Sequence, residues 1–184
     1  TQAGTGTRRV SMNNSSMNDS PMNGRPMNDN LAERLRFLKR VVEREIHHLR
    51  YSSDRVFAAP FTEELAARLG EDEALAEKLE AYTSRFCRLQ DTTGDKLLPL
   101  WLRALGEKTG AVADNLDRAE KLGVLDSADK WLEIRQTRNQ MIHEYIESPQ
   151  VLADALNTAH DYQETLMAFA HAMLSDAKRR NLLE

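Results

Sequence analysis

The chain has 184 residues, 41% of them hydrophobic and 29% charged, a size and balance that suit one folded unit with a substantial core. A single cysteine, Cys87, excludes an intrachain disulfide and a cysteine-based zinc centre, and it fits a reducing, cytoplasmic setting. The formal charge of −4 excludes a field that gathers nucleic acid over the whole surface, so an anion site has to be local; the longest apolar run, Leu97 to Leu102, is far short of the roughly 20 residues of a membrane-spanning helix.

Residues 11–30 read SMNNS, SMNDS, PMNGR and PMNDN, one five-residue unit copied four times. Met12, Met17, Met22 and Met27 are its only sizeable apolar side chains, and one methionine per unit cannot build a core. Asn, Ser, Gly and Pro favour turns and solvated coil, so residues 1–30 are expected to form a disordered low-complexity tail, leaving 31–184 as the folded unit.

From Leu31 onward there are only five glycines and three prolines, and Leu, Ala, Glu, Arg and Lys dominate, which is the composition of helices joined by short turns. Leu31, Leu35, Leu38, Val42, Ile46 and Leu49 recur at three- and four-residue steps and predict a first long helix to about Ala59, before Pro60. Leu75, Leu79, Tyr82, Phe86 and Leu89 predict a second. Gly94 and Pro99 interrupt the pattern, so Leu97 to Leu105 reads as a shorter or kinked segment, followed by a small helix through Val112, Leu116, Ala119 and Leu122 that Gly123 ends. Asp126 or Ser127 suits the cap of a helix carrying Trp131, Ile134, Met141, Ile142 and Tyr145. Ser148-Pro149, a cap and a first-turn proline, opens the last helix, striped by residues from Val151 to Leu174. The expected architecture is all-α: an antiparallel four-helix bundle with a short helical insertion.

One arginine sits where apolar residues belong. At about 100° per residue from Arg138, Trp131 lies near 20°, Ile134 near −40°, Met141 near −60°, Ile142 near 40° and Tyr145 near −20°. A guanidinium on that stripe must be paired, must snorkel, or must face a site or an interface, because burying it bare is prohibitive. Asp91, in R-L-Q-D, is a candidate partner from another helix. Asn139 and His143 lie together on the flank of the stripe, one turn apart.

The segment Arg138 to Tyr145, R-N-Q-M-I-H-E-Y, resembles the R-x4-6-H motif of the HEPN superfamily with a polar residue after the arginine. In the form R-x4-H-x-Y it resembles the HepT toxins, which pair with MNT-type minimal nucleotidyltransferase antitoxins. Its place, ending the penultimate long helix before a tight turn, is similar to that family's, as is R-F-C-R-L-Q-D on an earlier helix; the resemblance covers about Leu31 to Arg180.

The resemblance implies a homodimer whose motif helices face each other across a composite, metal-independent ribonuclease site that uses no cofactor. Cleaving RNA through its 2′-hydroxyl needs one group to take a proton, another to give one, and positive charge on the phosphorane; a two-fold axis supplies the second histidine. In that scheme His143 transfers protons, Arg138 holds the phosphate, Asn139 orients by hydrogen bonding and Arg135 adds substrate binding. Tyr145, seven residues after Arg138, returns to the same face, and by resemblance the cognate antitoxin adenylylates it and silences the toxin. Phosphate added beside the arginines would occupy the place of the RNA.

Other chemistries fit the residues less well. His143 to Glu147 is H-E-Y-I-E, not H-E-x-x-H; Glu45 and His48 form one E-x-x-H spacing with no second; and no Gly-rich phosphate loop is present. Two further readings remain: a non-catalytic substrate-binding subunit of a nucleotidyltransferase, and a helical dimerisation scaffold in which Arg138 only pairs with an acid.

Overall fold

The stripe from Leu35 to Leu49 becomes the inner face of helix α1 (Met27–Val56), with Leu35, Leu38, Val42, Ile46 and Leu49 all buried. The computed structural model describes residues 27–143 and 148–184, with side chains for 30–142 and 148–184. Within them the chain is helical, without a strand: α1 is followed by α2 (Glu63–Ala67), α3 (Glu73–Asp91), α4 (Leu98–Ala104), α5 (Val112–Lys121), α6 (Ala128–His143) and α7 (Pro149–Arg179). None of these helices is long and apolar enough to cross a membrane.

Two boundaries of α1 differ from expectation. It starts at Met27, inside the stretch assigned to the tail, because a helix docked through Leu31 and Leu35 propagates backwards at one new hydrogen bond per residue. It stops at Val56 rather than near Ala59, and the chain is then tied to α7. The Phe61 N–H donates to Asn157 Oδ1 and Asn157 Nδ2 donates to the Phe61 carbonyl, each at 2.8 Å. Helix α2 has too few apolar residues to announce itself; Thr62 caps it by accepting the Leu65 N–H. Residues 1–26 lie outside the described residues.

Side-chain pairs fix how the four long helices run. Glu45 meets Thr92 and Ser52 meets Arg85, so α1 and α3 are antiparallel. Arg50 meets Glu164 and Ser53 meets His160, which sets α7 antiparallel to α1. Asp91 faces Arg138 and Asp95 faces Arg135, and Trp131 packs edge-on against Phe169 while Glu133 accepts from Tyr162. Helix α6 is therefore antiparallel to both α3 and α7. The four helices close a bundle around a shared apolar core that includes Leu79, Phe86, Trp101, Trp131, Leu156 and Met173. Helix α5, the short insertion, is ended by Gly123 at φ 76°.

The short segment expected after Gly94 and Pro99 is helix α4, and the chain reaches it without leaving the helical path. A π-helical turn, Thr92–Leu97, joins α3 to α4. In it the Leu98 N–H donates to the Thr93 carbonyl, five residues back; the next residue, Pro99, has no N–H to offer. The wider turn thus absorbs the proline's missing donor and the ladder resumes in α4. It also brings Gly94 against Trp131: a Cβ on Gly94 would stand 2.8 Å from the Trp131 Cζ2. The same segment places Asp91 and Asp95 opposite α6.

Candidate functional site

The site forms where α3 and its π-turn run past the C-terminal half of α6. Beyond its first turn, with Ala128 buried at its start, the buried residues of α6 are Trp131, Ile134, Thr137 and Met141. Ile142, expected inside, is 46% exposed. On the helical wheel the buried arc is thus shifted away from Ile142 towards Thr137, which leaves Arg138 within the arc but near its edge. Part of its guanidinium is covered and part is open.

Arg138 finds the partner that its position demands. Its Nη2 donates to Asp91 Oδ2 at 3.1 Å and its Nη1 to Asn139 Oδ1 at 3.4 Å, while its Nε is buried without a partner among the described residues. The Arg138 side chain is 29% exposed and that of Asp91 41%. A single-pronged pair this open to water is worth about 0–1 kcal/mol, so Asp91 neutralises the guanidinium at rest without locking it. Arg135 makes a second, looser contact of the same kind, 3.8 Å from Asp95 Oδ1. The arginines of α6 and the aspartates of α3 and its π-turn thus form a two-rung ladder across the helix pair.

Beside the ladder opens a groove of about 580 Å³. Cys87, Met141 and Ile142 supply its apolar lining, and Arg88, Asp91 and Lys96 stand around it. Burial pushes the Cys87 thiol above its ordinary pKa, and the adjacent Arg138 guanidinium only partly offsets that. The thiol stays protonated near neutrality and serves as a small apolar surface rather than a nucleophile.

A smaller pocket of about 230 Å³ adjoins on the α1 side, between Glu45, His48, Arg85 and Arg88. Glu45 accepts the Thr92 hydroxyl at 3.1 Å through Oε1, and its Oε2 is buried and unpartnered. Burial raises its pKa above the ordinary 4.5, opposed by the Thr92 hydrogen bond and by the charges of Arg88 and Lys96. Among the described residues no three His, Cys, Asp or Glu side chains converge as metal ligands would.

The structure therefore brings Arg138, Asn139 and Arg135 to one edge of α6. His143 is the last described residue of that helix; its side chain, and Tyr145 altogether, lie outside the described residues. Sequence reasoning passed over Arg85, Arg88 and Lys96 as a group. The signal was there in R-F-C-R-L-Q-D, whose R-x2-R-x2-D spacing puts Arg85, Arg88 and Asp91 at successive turns of one helix. Compared with protein-family models, curated proteins and solved structures, the chain matches none.

Proposed function

We propose that the chain is a metal-independent endoribonuclease of the HEPN type, a toxin that acts as a homodimer and is neutralised by a cognate MNT-type nucleotidyltransferase through adenylylation of Tyr145. The observation that carries this reading is the half-open Arg138. Arg138 begins the sequence R-N-x3-H-x-Y on the C-terminal half of α6, and it is held to Asp91, which lines the groove, in an ion pair weak enough for a phosphate to displace.

In the proposed reaction the 2′-oxygen of the RNA attacks the adjacent phosphorus. The P–O2′ bond forms, the P–O5′ bond breaks, and the products are a 2′,3′-cyclic phosphate and a free 5′-hydroxyl. One His143 takes the 2′-hydroxyl proton and the His143 of the second copy protonates the departing 5′-oxygen. Arg138 bears the charge that builds on the phosphorane, a dispersed dianion that a planar guanidinium meets with two donors. Asn139, hydrogen-bonded to Arg138, holds the orientation of that guanidinium, and Arg135 adds positive charge one turn away. Adenylylated Tyr145, seven residues from Arg138, would put a competing phosphate beside it.

The Arg138–Asp91 pair is also the observation that favours a second reading, a helical dimerisation scaffold in which the arginine is merely neutralised. An RNA cleavage assay in EDTA separates the two. Wild-type protein is expected to cleave, and His143→Ala to lose about 10²- to 10⁴-fold in rate, the usual worth of a proton-transfer group. Intact RNA under wild-type protein, or cleavage that survives both His143→Ala and Arg138→Ala, would refute the enzymatic reading. For the partner, co-expression with a neighbouring nucleotidyltransferase should add one nucleotide mass at Tyr145; protection of cells with an unshifted mass would dismiss adenylylation.

A further inference from the structure

Helix α3 carries a line of positive charge that the proposed chemistry does not use. Arg85, Arg88 and Asp91 follow one another at three-residue steps, about 4.5 Å of rise each, and Asp91 holds Arg138 against the helix. Because three residues turn the helix by about 300°, each step rotates backwards by about 60°. The line therefore winds from the α1 side, where Arg85 sits, to the α6 side, where Arg138 sits. Arg88 is at the crossing and lines both the groove and the smaller pocket.

These charges are available. Arg85 donates to the His48 carbonyl at 3.2 Å and to the Ser52 hydroxyl, both neutral acceptors, and it flanks the Tyr51 ring at 6.0 Å. It is thus held in place without being neutralised. Arg88 and Lys96 are exposed and form no ion pair among the described residues. Of the carboxylates nearby, Asp91 is engaged by Arg138 and Glu45 is half-buried behind Thr92; Glu80 stands at the groove edge. A row of guanidiniums beside an apolar recess suits a strand that alternates phosphates with flat, apolar-faced bases.

We propose that single-stranded RNA lies across α3, its successive phosphates meeting Arg138, Arg88 and Arg85 while one base seats on Cys87, Met141 and Ile142. This track rests on the ribonuclease reading for its substrate, and its test is a binding measurement that needs no cleavage. The probe is a fluorescent 2′-O-methyl RNA oligonucleotide, whose blocked 2′-oxygen cannot attack, titrated with full-length protein across a range of salt concentrations.

Each phosphate neutralised on a single strand contributes about 0.7 to the slope of log affinity against log salt. Arg88→Gln should shallow the slope by about 0.7 and weaken binding about fivefold at 0.1 M salt. Arg85→Gln combined with it should shallow the slope by about 1.4. Lys130→Gln, which removes the same charge at the opposite end of α6, should leave the slope unchanged. Arg88 is exposed and makes no ion pair among the described residues, so its variant tests the track even if the double variant unfolds. An unaltered slope in Arg88→Gln, or no binding by wild-type protein, would overturn the track. Arg88-dependent binding with natural RNA left intact would sustain the track and remove the nuclease instead.

Discussion

On the proposed reading Arg138 serves a phosphate, and its contact with Asp91 is incidental to the fold. If the Asp91 pair were the reason for an arginine on this face, removing either partner would cost similarly and the double change would recover the loss. The half-exposed, single-pronged geometry predicts otherwise. A double-mutant cycle on Arg138→Ala and Asp91→Ala, read by denaturant unfolding, should give a coupling of no more than about 1 kcal/mol. A coupling several times larger would make the pair structural. Glu45 gives a pH-dependent prediction at the same scale. Its folded-state pKa lies above the unfolded value, so the folded state binds the proton more tightly and the burial penalty grows as pH rises from about 4.5 through the raised value. Glu45→Gln, which keeps an acceptor for Thr92, should therefore raise the unfolding temperature at pH 7, with the advantage fading in acid. An equal effect at both pH values would show that charge is not the cause.

At the scale of elements, the long helices were legible because their stripes hold the 3.6-residue period over several turns: five of six expected α1 positions are buried, as are Leu79, Tyr82, Phe86 and Leu89 on α3. What was not legible depends on neighbours. Ile142 falls on the apolar side of the wheel, yet it faces the groove beside α3 rather than the core, and the residue stays exposed. Gly94 and Pro99 interrupt the stripe, but the π-turn spends an extra residue and carries the helix past the proline, with Gly94 packed so closely on Trp131 that a side chain would have no room. Gly94→Ala should accordingly cost about 1–3 kcal/mol, the usual range for overpacking a filled core, and the turn should shift away from α6. An unchanged unfolding midpoint would mean that Trp131 yields freely. For the candidate site, the helical wheel picked out Arg138, with Asp91 as a candidate partner, and the two do meet, whereas the roles of Asn139 and His143 came from the resemblance of the motif. The positive row on α3 could not be weighed, since only the fold reveals which cations lack acids beside them.

For the molecule as a whole, the bundle is closed at one end by a buried acid. Asp176 on α7, 3% exposed in its side chain, accepts the Trp101 indole N–H at 3.1 Å and bonds Arg179 and Arg180. It ties α4 to the end of the last helix and leaves no buried donor idle there. Asp176→Ala should cost about 1–3 kcal/mol, through the stranded indole N–H, since the two arginines are exposed and water can solvate them, and a loss well below about 1 kcal/mol would show that water replaces the carboxylate. None of these residues lines the groove, so on the proposed reading their variants should change stability without changing RNA cleavage per folded molecule. The groove end carries the opposite character: exposed Ile142, a half-open ion pair and unpaired cations, all features that cost stability and make sense as a place for another molecule.

The most direct test of the central claim is the rate of RNA cleavage in EDTA by Asp91→Asn set beside that of Arg138→Ala. If Arg138 serves phosphate, the two variants diverge: Asp91→Asn frees the guanidinium and keeps cleavage within about tenfold of wild type, while Arg138→Ala loses about 10²- to 10³-fold with the removal of a charge-stabilising donor. Equal losses in both variants, matching equal losses of folded protein, would contradict the account and leave Arg138 as the structural half of an ion pair.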